Sequence, residues 1–365
     1  MNFKEFWKFM TTDMSKKKKE APAPEKSASP TQQGTDSSVQ QDLKKPQQKS
    51  LTPRKLGYGL ILFILINSIL GSSLFYLPSL GVISSGAASI FAWIALFIIA
   101  IFVMLYMGEL ITLHPTSGGT YEFCKRAYGR FGSFAAGWLI WLGGNFGMAL
   151  SVVAAAEYFI PAQTQYGFII RLVFAAIWII ALNFMAFRGV DAGSTMLVLF
   201  GFIAVIVVIL MTLPSFLDIP GLFQGVFQSP FNSQFMQPFF LHEGLSILSY
   251  LGLSLLLISE AFLGFEVVSY MANEVEKPKE LHKVLFAGMA ISGILMTLYV
   301  FSSLGTVSYT DYVQNARPFA VQALNTMGEL GQTIVVFGMY LVIVGAAAAW
   351  PITGARLLQA MAKDK

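Results

Sequence analysis

"GSSLFYLPSLG", residues 71–81, lies inside the first long apolar run of the chain and puts Gly-Ser-Ser at mid-depth with a proline five residues later. Two readings are open for such a run. Small residues let a membrane helix pack closely on its neighbours, or the helix is interrupted on purpose so that bare peptide groups face a cavity. The rest of the sequence decides between them.

The chain of 365 residues is 55% hydrophobic and only 12% charged, against about 25% charged in an average soluble domain. Its apolar residues come in blocks long enough to cross hydrocarbon, which takes about 20 residues as a helix. The blocks are continuous, which excludes the alternating pattern of a membrane barrel. The chain is therefore an all-α multispanning membrane protein. Its net charge of +4 is no nucleic-acid signature, because the basic residues gather at membrane edges and in one tail. Cys124 is the single cysteine, so an intrachain disulfide is ruled out. His114, His242 and His282 are far apart and lack metal-ligand spacing. A membrane enzyme would need a nucleophile–base pair, a His-rich motif or a phosphate loop at cavity depth; none is visible, and no cofactor or metal is called for. A channel is disfavoured for want of a repeated filter or a ring of like charges.

Residues 1–55 form a basic tail rich in Lys, Pro, Gln and Ser, with "KKKK" at 16–19. Such a composition predicts disorder, and its charge suits anionic lipid. The opening "MNFKEFWKFM" reads equally as a short interfacial helix or a frayed end. Eight apolar spans follow, at about 56–80, 87–113, 134–160, 167–187, 190–213, 245–272, 284–307 and 329–358. With the N-terminus cytoplasmic, 22 of the 24 Lys and Arg fall on the inside, and only Arg171 and Arg317 outside. Without the tail the bias is still ten to two, so the positive-inside rule predicts an N-in protein of the plasma membrane.

The sixth span is interrupted as well: "SEAFLGFEVVSY" at 259–270 carries Gly264 between aromatics and two acids, Glu260 and Glu266. A carboxylate at the bilayer centre costs about 2.5–3.5 kcal/mol even on the lenient insertion scale. Glycine in a helix interior costs about 1 kcal/mol relative to alanine. Such features persist where they line a wet cavity or are buried in protein. With five spans per half, the first and sixth are corresponding members of two repeats of opposite topology. Paired breaks there predict a substrate site at the midplane, where a half-helix N-terminus holds an anionic group and unwound carbonyls hold a cation. Helix packing alone explains Gly71 but not the two acids. The expected divisions are 56–213 as the first five-helix repeat, 214–244 as an extracellular loop and 245–365 as three helices of a second repeat.

These residues resemble the amino acid–polyamine–organocation transporters. "GSSLFYLPSLG" is similar to the family's first-helix motif. "GEL" at 108–110, "HPTSGGTYEFCKRAYG" at 114–129 and "GWLIWLGGN" at 137–145 resemble its second and third helices with their loop. "AFLGFEVV" followed by "NEVEKPKEL", within 261–281, resembles its sixth helix and the loop after it. The likeness runs from about residue 56 to the end. It implies a leucine-transporter-like inverted-repeat fold and alternating-access transport of amino acids or related amines, by symport or antiport. It also implies that the backbone amides of Gly71, Ser72 and Ser73 hold the substrate carboxylate, Ser73 standing where glycine is usual. The break from Ala261 through Phe262 and Leu263 to Gly264 would accept hydrogen bonds from the substrate amine. Asn145, Glu260 and Trp350 line up with side-chain contacts of arginine–agmatine-type exchangers, Glu260 replacing a gating aromatic.

The sharpest expectation concerns Glu260, whose carboxylate would pair with a substrate amine or guanidinium while Trp350 stacks on it. The alternative is a protonated acid hydrogen-bonded within the bundle. Glu260 and Glu266 are the proton-coupling candidates, Glu266 serving equally as a structural acid. The span 189–276 holds no Lys or Arg, and 345–349 reads "GAAAA", so neither the fifth-helix lysine nor the eighth-helix hydroxyls of some relatives are present; Thr353 lies further along. Family members continue past "RLLQAMAKDK" into four more helices. The expectation is that a second polypeptide supplies them or that the chain is a truncated permease. A non-transporting sensor or scaffold is the alternative function.

Overall fold

The computed structural model describes residues 56–365 apart from 72–73, 75, 115, 117, 161–164, 188–189, 221, 226, 228–236, 273–274, 277–279, 315–316 and 365, and leaves aside the side chains of 190–193. The expectations for the basic tail and its opening residues lie outside the described residues, as do Ser72 and Ser73.

The described chain is helical nearly throughout. The first apolar run is divided: α1 spans Tyr58–Leu70 and α2 spans Leu77–Ser85. After a short 3-10 turn come α3 (Ser89–Leu113), α4 (Gly119–Phe159), α5 (Gly167–Phe187) and α6 (Val190–Phe216). The sixth run is divided too, into α7 (Ser246–Leu257), a 3-10 turn at Ser259–Phe262 and α8 (Glu266–Tyr270). Then follow α9 (Leu281–Leu304), the short α10 (Tyr309–Gln314), α11 (Pro318–Ala347) and α12 (Ala349–Lys363). Among the described residues six helical stretches are long and apolar enough to cross a bilayer, and the bent α7–α8 pair makes a seventh. The eighth expected span is the first run, whose first part α1 is too short to cross alone. The architecture is that of an all-α multispanning protein with two broken helices five spans apart.

Burial follows from composition. Helix α1 is apolar apart from Asn67 and Ser68, and beyond its exposed first turn it is packed in the core, with Ile61, Ile64, Leu65, Ile69 and Leu70 essentially inaccessible; a helix so nearly apolar all round is stable only when surrounded. It packs on α6, α9 and α11, while α9 also lies along α3. Helix α5 has the opposite habit and presents Ile177, Ile180 and Phe184 outward.

The third and eighth runs share a bend that the sequence reading passed over. Gly129 (φ 75°, ψ −167°) breaks α4, and Gly328 (φ 69°, ψ −169°) breaks α11. Positive φ is cheap only for glycine. Each is followed three residues later by a second glycine, Gly132 or Gly331. A Cβ on these would fall 2.6 Å from that of Tyr128 and 2.1 Å from that of Met327, respectively. The same Gly-x-x-Gly corner thus bends the third and eighth runs and gives each a short helical forearm, 119–128 and 318–327. Where the sequence suggested a loop before residue 134, the chain is already helical from Gly119. The second half of the first broken run and the first half of the sixth are tied together by hydroxyls. Ser84 and Ser85 of α2 share hydrogen bonds with Ser254 of α7, which donates to the Gly81 carbonyl at 3.2 Å.

Candidate functional site

Both breaks are made by the backbone. Helix α1 closes with the Gly71 N–H donating to the Asn67 carbonyl (3.1 Å), and helical geometry resumes at Leu77 with Pro78 in the first turn of α2, a position where proline's missing N–H costs nothing. In the sixth run the ladder tightens to 3-10 spacing, with Ala261 N–H to Ile258 O at 2.8 Å and Leu263 N–H to Glu260 O at 3.0 Å. Leu263 is then extended (ψ 167°) and Gly264 takes φ 103°. The two parts of the run are bent by 44°. The Gly264 N–H donates to Oε2 of Glu266 at 2.9 Å, so this carboxylate caps the unwound turn ahead of its own helix.

The two breaks meet. A Cβ on Gly264 would lie 2.3 Å from the carbonyl oxygen of Ser68, so only glycine lets the sixth run lie on the last turn of α1. On the α2 side of the break, Tyr76 donates its phenolic hydrogen to Oε2 of Glu260 at 3.0 Å. Glu260 is half-buried in the 3-10 turn, Ala261 and Phe262 are buried, and Leu263 is exposed. The Phe262 ring turns away from the break to stack on Phe97 and meet Trp93 edge-on, which makes it a packing anchor.

Gly71 ends α1 against α11, where its Cβ position is taken by Ala346. Beside it the Asn67 amide, fully buried, donates to the Gly345 carbonyl at 2.9 Å. Trp350 begins α12 and lies across α4: a Cβ on Gly144 would fall 2.2 Å from its indole. Asn145, next to that glycine, turns its amide back to the Trp141 carbonyl at 2.7 Å. The expected site residues therefore form two groups, Gly71, Glu260 to Gly264 and Glu266 at the crossing of the breaks, and Asn145 with Trp350 on the α4–α12 seam. Thr353 is buried and donates within α12 to Ala349 O. Sequence reasoning missed Tyr76, Ser68, Asn67 and Gly144. The tyrosine sits two residues before Pro78 and Gly144 directly before Asn145, but neither pairing is visible without the fold.

The amino acid permease family model matches residues 56–365. The chain is 24% identical over 327 residues to the arginine/ornithine antiporter ArcD2 of Lactococcus lactis subsp. cremoris, covering 84% of this chain and 65% of the relative. It is 21% identical over 317 residues to an arginine/ornithine antiporter of Pseudomonas aeruginosa, with coverage of 85% and 64%. It is 27% identical over 332 residues to an arginine/agmatine antiporter of Chlamydia felis, with coverage of 86% and 65%. The chain thus spans about two thirds of the length of these curated relatives, 64–65%.

Proposed function

The chain belongs to the amino acid permease family, and from that premise we propose that it carries a cationic amino acid or its amine across the cell membrane by exchange, gripping it where the two broken helices cross. The observation that carries this reading is the Tyr76–Glu260 hydrogen bond beside the Gly264–Ser68 crossing. It sets one carboxylate at the break, with Oε2 taken by the phenol. A substrate amine or guanidinium would pair with this carboxylate, a charge-assisted bond being roughly twice as strong as a neutral one. The amides of Gly71, Ser72 and Ser73 would hold the α-carboxylate and the carbonyls of Ala261 to Gly264 the α-amine. Asn145 and Trp350 would contact the substrate's far end. In this reading Glu266 is structural, since its carboxylate is engaged by the Gly264 N–H, and Glu260 is the group that senses charge. The N-in orientation, the division at 213 and 245 between repeats, and the affinity of the basic tail for anionic lipid go with the same reading.

Exchange of labelled arginine in proteoliposomes tests it. Glu260→Gln keeps shape and removes the charge, so the preference for arginine over a neutral amino acid of similar size should fall about tenfold, the low end of what a hydrogen bond to a charged group contributes. Tyr76→Phe leaves the carboxylate and removes one donor, and should shift the preference by a few-fold at most. An unchanged preference in Glu260→Gln would remove Glu260 from the site. Absence of any amino acid exchange by the parent chain would count for a sensor or scaffold instead.

A further inference from the structure

The side of the molecule opposite Glu260 carries a second organised cluster. The forearm of α4, residues 119–128, is seated at glycine distance on α8, and the body of α4 just past the bend on α12. A Cβ on Gly119 (φ 51°) would fall 2.6 Å from Ser269 Oγ, and one on Gly137 2.9 Å from both Met361 Sδ and Tyr121. Tyr121, Tyr270 and Leu357 form a small buried core there, packed against by Trp141, Trp350 and Met361. It therefore reaches from the candidate site, at Trp350, toward the face that bears Lys125, Arg126 and Arg130, the cytoplasmic face by charge distribution. Its outer end is closed by polar groups. The Tyr121 hydroxyl donates to Oδ2 of Asp364 at 2.8 Å, and the Lys125 ammonium pairs with Oδ1 of the same carboxylate.

We propose that Asp364, Tyr121 and Lys125 form a latch that clamps the α4 forearm over the inner half of the broken sixth helix, and that its release opens the cytoplasmic path from the site. The path is meaningful only if the transport reading holds; the latch is tested without it. The pairing joins three elements that must separate for α8 to swing: the forearm, α8 through Tyr270, and the end of α12. Lys125 and Asp364 remain partly exposed, at 31% and 23% of their side-chain surface. Such pairs are weak and screened by salt, as suits a contact that opens in every cycle. Among the described residues the other charged groups at this corner are Glu122, Arg126 and Arg130 on α4 and Lys363 on α12; Glu122 is engaged by Arg126 at 3.3 Å and lies 4.0 Å from Lys125, a looser contact than the one with Asp364. Hydrogen bonds from Lys125 and Tyr121 hold the Asp364 carboxyl below its ordinary range. With a folded value depressed, the latch is intact above the ordinary carboxylate range and is lost only as pH falls through the lowered value. It is a charge contact at every neutral pH.

Cys124, half-buried on the same forearm and the single cysteine of the chain, is a built-in reporter. Its rate of modification by a polar maleimide should be measured on the purified full chain without substrate. Lys125→Gln and Asp364→Asn should each speed labelling about two- to fivefold, the range an exposed pair supports, and high salt should speed the parent but not Asp364→Asn. The double reversal Lys125→Asp with Asp364→Lys keeps the combined side-chain length and should return labelling to the parent rate. Single variants that label at the parent rate, or a reversal that labels as fast as the singles, would overturn the latch. Faster labelling in a chain that exchanges no amino acid would leave the latch standing and sink the transport reading. Unchanged labelling in a chain that does exchange would do the opposite.

Discussion

Gly264→Ala is expected to abolish the arginine binding proposed above and to lower the yield of folded protein sharply. Two penalties act together. The residue holds φ 103°, where a side chain costs about 1–3 kcal/mol in backbone strain. The added methyl would sit 2.3 Å from the Ser68 carbonyl oxygen and 2.8 Å from its carbon, and overpacking of this kind costs about 1–3 kcal/mol more. A total of about 2–6 kcal/mol is a large part of the roughly 5–15 kcal/mol that holds an ordinary domain folded. The obstacle is main chain on both sides, so no rotamer change relieves it; one broken helix must move off the other. The N–H that donates to Glu266 survives in alanine, so any loss comes from the close approach itself. Gly252→Ala is the control. That glycine lies inside α7 with nothing within 4 Å of its Cβ position, and alanine there should be neutral or slightly stabilising. Melting curves of the two variants in detergent, with and without arginine, decide the matter. A Gly264→Ala protein that melts with the parent and is still stabilised by arginine would mean that the crossing is looser than its geometry.

The membrane class, the paired breaks and their place in the first and sixth runs were all legible in the sequence, because each is a one-dimensional signal. Apolar length marks a span, and a glycine with an acid inside such a run marks an exception. The unwound stretch at Leu263 and Gly264 follows the same logic as the expectation drawn from Glu260 and Glu266. What escaped was the pairing of side chains across the fold. Nothing in "FYLP" says that the tyrosine reaches a carboxylate 184 residues away, and nothing near Asn67 names Gly345 as its partner. The forearm before Gly129 reads as loop in the sequence because its Lys, Arg and Tyr break the apolar run. The period of that stretch is amphipathic, and the spacing Gly129–Gly132, repeated at Gly328–Gly331, was the signal that would have shown it. Glu266 illustrates the limit: its residue type allowed a proton carrier or a structural acid, and only the 2.9 Å bond from the Gly264 N–H favours the second.

Gly201→Val should have the next largest effect, for a different physical reason. This glycine is in α6 with no positive φ, so valine brings no conformational strain at φ and the cost is steric. Its Cβ would lie 2.2 Å from the Phe63 carbonyl oxygen and 3.3 Å from the Asn67 Cβ, so α6 and α1 touch backbone to backbone. A loss of about 3 kcal/mol, the upper end for overpacking, is expected, read as a lowered melting temperature. The consequence for the site depends on how α1 yields. If it slides as a unit, the Asn67 amide leaves the Gly345 carbonyl and Gly71, one turn further on, leaves Ala346, so the amides at the break move and arginine affinity falls with stability. If α1 bends locally at Phe63, the break stays where it is. A double-mutant cycle with Asn67→Ala separates the two. That single change should cost about 1–2 kcal/mol for the lost hydrogen bond, moderated because the buried Asn67 Oδ1 has no hydrogen-bond partner among the described residues. Sliding breaks the bond in Gly201→Val already, so the double variant should fall short of the sum by about 1 kcal/mol. Additive losses with arginine affinity preserved would show a local bend. The geometry favours sliding, because the ladder of α1 from Ile64 to Leu70 is buried among its neighbours and resists a kink, while the half-helix has a free direction of travel toward its own broken end.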